Sequence, residues 1–236
     1  MANKAVFVDR DRTLMDDPGY VTDPSAVKVL PGVETAIKSL SSAGYKVIVV
    51  TNQAGVARGL FGIEALEGLH AELRRQLAER GAHLDGIYYC PYHPEGVVEE
   101  FARDSDLRKP KPGMLLKAAE DFDLDLSQSW MVGDGPSDVE AGQRAGCRTI
   151  RVRTPGASTP AEETDENVQA DFTVRNLVDA ARIITREMQK STPAPRRAGP
   201  AGATAPTERP APSDEAPTGE MDDSEVRREI LRSVRR

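Results

Sequence analysis

Two hydrophobic rhythms alternate along the first 190 residues. Short apolar runs, many of them β-branched, recur at Ala5–Val8, Val47–Val50, Ile87–Tyr89, Trp130–Val132, Thr149–Val152 and Ala170–Thr173. Their length and the turn-forming residues around them predict strands. Between them, apolar residues fall three and four apart: Val33, Ala36, Ile37, Leu40 and Ala43, stopped by Gly44, then Leu66, Leu69, Leu73 and Leu77, stopped near Gly81. Leu115–Phe122, Val139–Ala145, and Leu177, Ala181, Ile184 and Met188 continue the series. This spacing puts one apolar stripe on each helix. Strands alternating with helices predict an α/β fold, a three-layer Rossmann-like parallel sheet with helices on both faces. No internal repeat is found.

The pattern stops near Lys190. Residues 191–221 are mostly Pro, Ala, Gly and Thr with scattered charge. They carry too little apolar surface to offset their ordering entropy, so a disordered linker is expected. In 222–236, Val226, Ile230 and Val234 recur every four residues among Arg and Glu. That suits either a frayed end or a short amphipathic helix that docks a protein partner. The expected organisation is one folded domain, 1–190, followed by this appendage.

Bulk properties narrow the function. No apolar run nears the roughly 18 residues of a membrane span. The opening MANKAVFVD lacks the basic and apolar regions of a signal peptide, so a cytoplasmic monomer is the expectation. Two cysteines, Cys90 and Cys147, make no disulfide framework. A net charge of −7 argues against nucleic-acid binding through a basic surface.

In parallel sheets, ligands bind beyond the carboxyl ends of the strands. Three predicted strands end there in polar groups: Asp9, Thr51 and Asp134. Asp9 and Asp11 lie two apart in Asp9-Arg10-Asp11-Arg12-Thr13. In an extended chain both carboxylates can face one pocket; in a turn, one acts while the other's backbone carbonyl binds metal. Taken alone, the segment equally suits a turn or a helix cap. Thr51 puts a hydroxyl at the end of a second buried strand, before Ala54-Gly55-Val56-Ala57-Arg58-Gly59, whose glycines suit close approach to an anion. Lys109, fixed among prolines before a helix, supplies a compact charge for a phosphate. Gly133-Asp134-Gly135-Pro136-Ser137-Asp138 frames a turn with two carboxylates, hard oxygen ligands of the kind Mg²⁺ takes.

These segments, in this order, resemble the haloacid dehalogenase-like (HAD) phosphatases. The resemblance narrows to the D-glycero-D-manno-heptose 1,7-bisphosphate phosphatases and the related histidinol-phosphate phosphatases. It is carried by Asp9-Arg10-Asp11, Gly19-Tyr20, Thr51-Asn52-Gln53, Gly55-x-Ala57-Arg58-Gly59, Asp85 to Pro91, Arg108-Lys109-Pro110-x-Pro112-Gly113-Met114 and Met131-Val132-Gly133-Asp134, across residues 4–155. It implies a phosphomonoester hydrolase with Asp9 as nucleophile and Asp11 as general acid and base. It also implies that Thr51 and Lys109 hold the phosphoryl oxygens. Mg²⁺ would be held by Asp9, the Asp11 carbonyl and Asp134, with Asp138 in the outer shell. Asp17, Gly19, Tyr20, Asn52, Gln53 and Arg108 are the implied substrate contacts, and a small phosphorylated metabolite is the implied partner.

Three departures qualify the resemblance. Arg12 stands where the family commonly has Gly, and either adds a phosphate contact or crowds the entrance. The relatives' structural zinc ligands are absent: Tyr92, Ser105 and Leu107 replace them and only Cys90 remains. No zinc is therefore expected, and the loop from Pro91 to Leu107 must be held by packing, for instance of Tyr92 and Phe101, or stay mobile. Gly135 stands where the heptose enzymes often carry Lys, which bears on the substrate more than on the chemistry. The rivals are a phosphatase of histidinol phosphate or another sugar phosphate, a DNA 3′-phosphatase, and a catalytically weak binding protein on the same fold.

Overall fold

The computed structural model describes residues 2–153 and 168–191. The expected tail and terminal helix lie outside them, apart from Ser191. Six parallel strands form one sheet: β1 (Lys4–Val8), β2 (Tyr45–Asn52), β3 (Gly86–Cys90), β4 (Trp130–Gly133), β5 (Arg148–Val152) and β6 (Phe172–Val174). Their order is β3-β2-β1-β4-β5-β6. The connections are α1 (Val33–Ser42), α2 (Ala54–Ala57), α3 (Ile63–Glu79), α4 (Gly113–Phe122) and α5 (Pro136–Ala145), with α6 (Leu177–Ser191) closing the domain. The predicted α/β architecture is the one observed.

Side chains alternate across a strand. Val6, Val8, Val47, Val49, Trp130, Val132 and Ile150 join Ile37 and Leu40 of α1, Leu69 and Leu73 of α3 and Ile184 of α6 in one core layer. The intervening Ala5, Phe7, Ile48 and Met131 are buried on the opposite face, where Gly142 of α5 packs against Met131. Full burial of each large side chain contributes roughly 1.5–3 kcal/mol. The fold therefore rests on the apolar runs read from the sequence.

Two local readings differ from the structure. The last strand runs Phe172–Val174, starting two residues and ending one residue later than expected, paired through Ile150↔Phe172 and Val152↔Val174. Asp171 is instead a side-chain cap: its Oδ2 accepts from Thr149 N at 2.7 Å and from Thr149 Oγ1 at 3.0 Å. The glycine-rich stretch after Thr51 forms the single buried turn of α2. A Cβ on Gly55 would lie 2.3 Å from the Phe61 ring and 3.0 Å from Tyr20. This glycine makes room for aromatic side chains.

The strand order positions the site. β2 and β3 run off one side of β1, and β4 to β6 off the other. The connections reverse between β1 and β4, the switch point at which open α/β sheets leave a crevice. The register places Val8 beside both Val49 and Val132, so Asp9 and the residues after Gly133 emerge at the same level.

Candidate active site

Asp9 follows β1 directly, with its N–H donating to Val132 O at 2.9 Å. Its side chain is buried and meets Lys109, whose Nζ donates to Asp9 Oδ1 at 2.6 Å, to Asp138 Oδ1 at 2.5 Å and to Val50 O at 2.8 Å. An ammonium has three N–H groups, so all are engaged. Burial opposes the charge on Lys109, but Asp138 and Asp9 outweigh it and raise the pKa above that of ordinary lysine. Burial pushes the Asp9 carboxyl well above the usual range; Lys109 opposes this, while Asp138, Asp134 and Asp11 add to it. The crowding of carboxylates at one point creates a demand for positive charge.

Asp134 and Asp138 come from the turn between β4 and α5. Asp138 sits at the third position of α5, and its Oδ2 accepts from the N–H of the N-cap residue, Gly135, at 2.9 Å. Gly133 permits this packing, since a Cβ there would lie 2.2 Å from Asp138 Oδ2. Arg151 of β5 donates to the Asp134 carbonyl at 3.1 Å. Ligand oxygens of Asp9, Asp134 and Asp138 lie within 4.8 Å of one another, and among the described residues they are the one such group of three or more. Hard oxygen donors in this number suit Mg²⁺.

Arg10, Asp11, Thr51 and Gln53 form a second network. Arg10 grips Asp11 with two N–H groups and donates to Gln53 Oε1 at 2.9 Å. Gln53 Nε2 donates to Asp11 Oδ2 at 2.9 Å and to Thr51 Oγ1 at 2.8 Å. The Thr51 hydroxyl keeps its own proton to donate.

The expected substrate contacts divide into two groups. Asn52 donates to Lys109 O at 2.9 Å and accepts from Lys109 N at 3.0 Å. The side chains of Asn52 and Gln53 are therefore committed within the protein, where they hold Lys109 and Asp11. Asp17, Gly19 and Tyr20 form a rim. Asp17 accepts from Gly19 N at 2.8 Å, and burial together with the charge of Asp11 raises its pKa. The Tyr20 hydroxyl accepts from Arg58 at 2.8 Å, and its ring lies 6.4 Å from that of Phe61. Arg108 adjoins Lys109 and is half-buried. Arg12 has φ 60° and reaches Asp134, Nε to Oδ2, at 2.9 Å.

The Pro91–Leu107 loop is anchored by aromatic packing. Tyr92 is buried, its ring 6.0 Å from that of Phe101, with the Arg103 guanidinium 4.1 Å above it. The buried Cys90 thiol is pushed up by desolvation.

Curated relatives match more than three quarters of this chain. The chain is 41% identical to a D-glycero-β-D-manno-heptose-1,7-bisphosphate 7-phosphatase of Salmonella typhi, over 78% of this chain and 97% of the relative. A protein of the same name from Haemophilus influenzae is 43% identical over 78% and 98%. This chain belongs to the HAD-like phosphatases. The HAD-hydrolase-like family model matches residues 106–180, from the segment before Lys109 into α6. This HAD-like phosphatase also superposes on the D,D-heptose 1,7-bisphosphate phosphatase of B. bronchiseptica complexed with magnesium and phosphate, with a TM-score of 0.67 at 31% identity over 78% and 99% of the two chains.

His70 is the residue that sequence reasoning missed. It occupies a buried position of α3 among Leu66, Leu69, Leu73 and Leu77 and meets Arg10 at 3.1 Å. A polar residue inside an apolar helical stripe was the available signal.

Proposed function

We propose that this chain is a Mg²⁺-dependent phosphomonoesterase that works through an aspartyl-phosphate on Asp9. D-glycero-D-manno-heptose 1,7-bisphosphate, cut at the 7-phosphate as in the names of its relatives, is the first substrate. The observation that carries the reading is Asp9 at the sheet's switch point, paired with Lys109 and flanked by Asp134 and Asp138.

The residues divide the work. An oxygen of Asp9 attacks phosphorus, the bond from phosphorus to the sugar oxygen breaks, and Asp11 gives that oxygen its proton. Water then attacks the phosphoryl group, Asp11 takes the water's proton, and phosphate leaves with the Asp9 carboxylate restored. Lys109 is held ready by Asp9, Asp138 and Val50. As Asp9 becomes phosphorylated it is the weakest of the three acceptors, so that N–H passes to a phosphoryl oxygen. Thr51 supplies a second donor. Asp9, Asp134 and the Asp11 carbonyl would hold Mg²⁺, with Asp138 in the outer shell through its bonds to Lys109 and Gly135. The ion, when bound, offsets negative charge on the phosphoryl oxygens, the main requirement of phosphoryl transfer.

Phosphate release across a panel of heptose 1,7-bisphosphate, histidinol phosphate and other sugar phosphates tests the reading. Mg²⁺-dependent release, highest with the heptose and lost in Asp9→Asn, supports it. Release from another panel member alone moves the substrate and keeps the chemistry. A chain that binds these compounds and releases nothing is the binding-protein alternative.

A further inference from the structure

His70 is a buried polar side chain that the proposed reaction leaves without a task. Its partner Arg10 is the largest fully buried side chain among the described residues. Arg10 Nε donates to Asp11 Oδ1 at 2.8 Å, and Nη2 donates to Asp11 Oδ2 at 3.1 Å. Nη2 also donates to Gln53 Oε1 at 2.9 Å, and Nη1 lies 3.1 Å from His70 Nε2. A guanidinium has no acceptor, so His70 Nε2 accepts and the ring proton sits on Nδ1. Desolvation, with the charges of Arg10 and Arg74, holds the His70 pKa well below its ordinary 6.5, in accord with that neutral form. The ring is fixed against Tyr89, centroids 5.4 Å apart.

The clamp leaves Asp11 little freedom. A carboxylate has about four acceptor positions. Oδ2 of Asp11 takes Arg10 and Gln53, and Oδ1 takes Arg10. The remaining position, on Oδ1, is the one through which a proton can pass. Gln53 and His70 brace the guanidinium from behind, and His70 alone comes from α3, outside the catalytic loops.

We propose that His70 is a positioning residue: by accepting from Arg10 Nη1 it fixes the guanidinium that aims the open edge of Asp11 Oδ1 at the leaving oxygen. The inference rests on Asp11 acting as the proton donor of the proposed reaction. Its signature is a dependence on the leaving group, because an alkoxide needs that proton and a nitrophenolate does not.

The test compares kcat/KM, which covers steps through departure of the alcohol, for a sugar phosphate and for p-nitrophenyl phosphate. His70→Leu keeps the volume and removes the acceptor; His70→Gln places an amide oxygen near Nε2. His70→Leu should lose about tenfold on the sugar phosphate, part of the 10²–10⁴ that general acid–base catalysis supplies. It should lose less than twofold on the aryl ester, and His70→Gln should recover most of the difference. Asp11→Asn run alongside should show the same pattern more strongly. Equal losses on both substrates in His70→Leu, or none on either, overturn the assignment of His70. A leaving-group-independent Asp11→Asn overturns the role of Asp11, and the inference with it.

Discussion

Arg12 Nε lies 2.9 Å from Asp134 Oδ2. The residue stands at φ 60°, a left-handed conformation that costs a side-chain-bearing residue about 1 kcal/mol and a glycine nothing. Its guanidinium already neutralises one carboxylate of the candidate metal site.

Arg12→Gly relieves the backbone strain and gives up the ion pair, so stability should change by less than about 1 kcal/mol. Mg²⁺ should bind about tenfold more tightly, equivalent to about 1.4 kcal/mol. Titration calorimetry of the two proteins measures this directly. An unchanged affinity means that the Arg12–Asp134 pair does not compete with the ion.

The Pro91–Leu107 loop should hold without zinc. The Tyr92 hydroxyl is buried with no hydrogen-bond partner among the described residues. Removing such a group while keeping the ring recovers part of its desolvation cost, so Tyr92→Phe should be stabilising by about 1 kcal/mol in urea denaturation. Tyr92→Ala should lose about 3 kcal/mol or more through the cavity it leaves. A zinc chelator should leave the wild-type midpoint in place; a fall would show that the aromatic packing is not what holds the loop.

His70 also predicts how stability responds to acid. Its folded pKa is depressed below 6.5, so beneath that pH the unfolded chain binds the extra proton. Stability is then lost as pH falls through 6.5 toward the folded value. Urea denaturation between pH 7.5 and 5 should show wild type losing up to about 1.4 kcal/mol per pH unit more than His70→Gln below pH 6. Parallel curves for the two proteins would mean that His70 is not held neutral.

Much of this was legible in the sequence because it depends on local pattern. Val6 and Val8 mark a buried strand, and Asp9, Thr51 and Asp134 each come directly after such an apolar run or one residue beyond it. What was not legible depends on which distant groups meet. That the amides of Asn52 and Gln53 also close onto Lys109 and Asp11 is reached only through folding. His70 sits sixty positions from Arg10, and nothing in the spacing of α3 names its partner. The four-residue turn of α2 is too short for any periodicity to register.

The central claim is that Asp9 carries the phosphoryl group. The direct measurement is an acid quench during turnover, followed by borohydride reduction and peptide mass spectrometry. A substrate-dependent conversion of Asp9 to homoserine, absent without Mg²⁺, is the predicted result. Sustained phosphate release with Asp9 unmodified, or with the label on another residue, would contradict it.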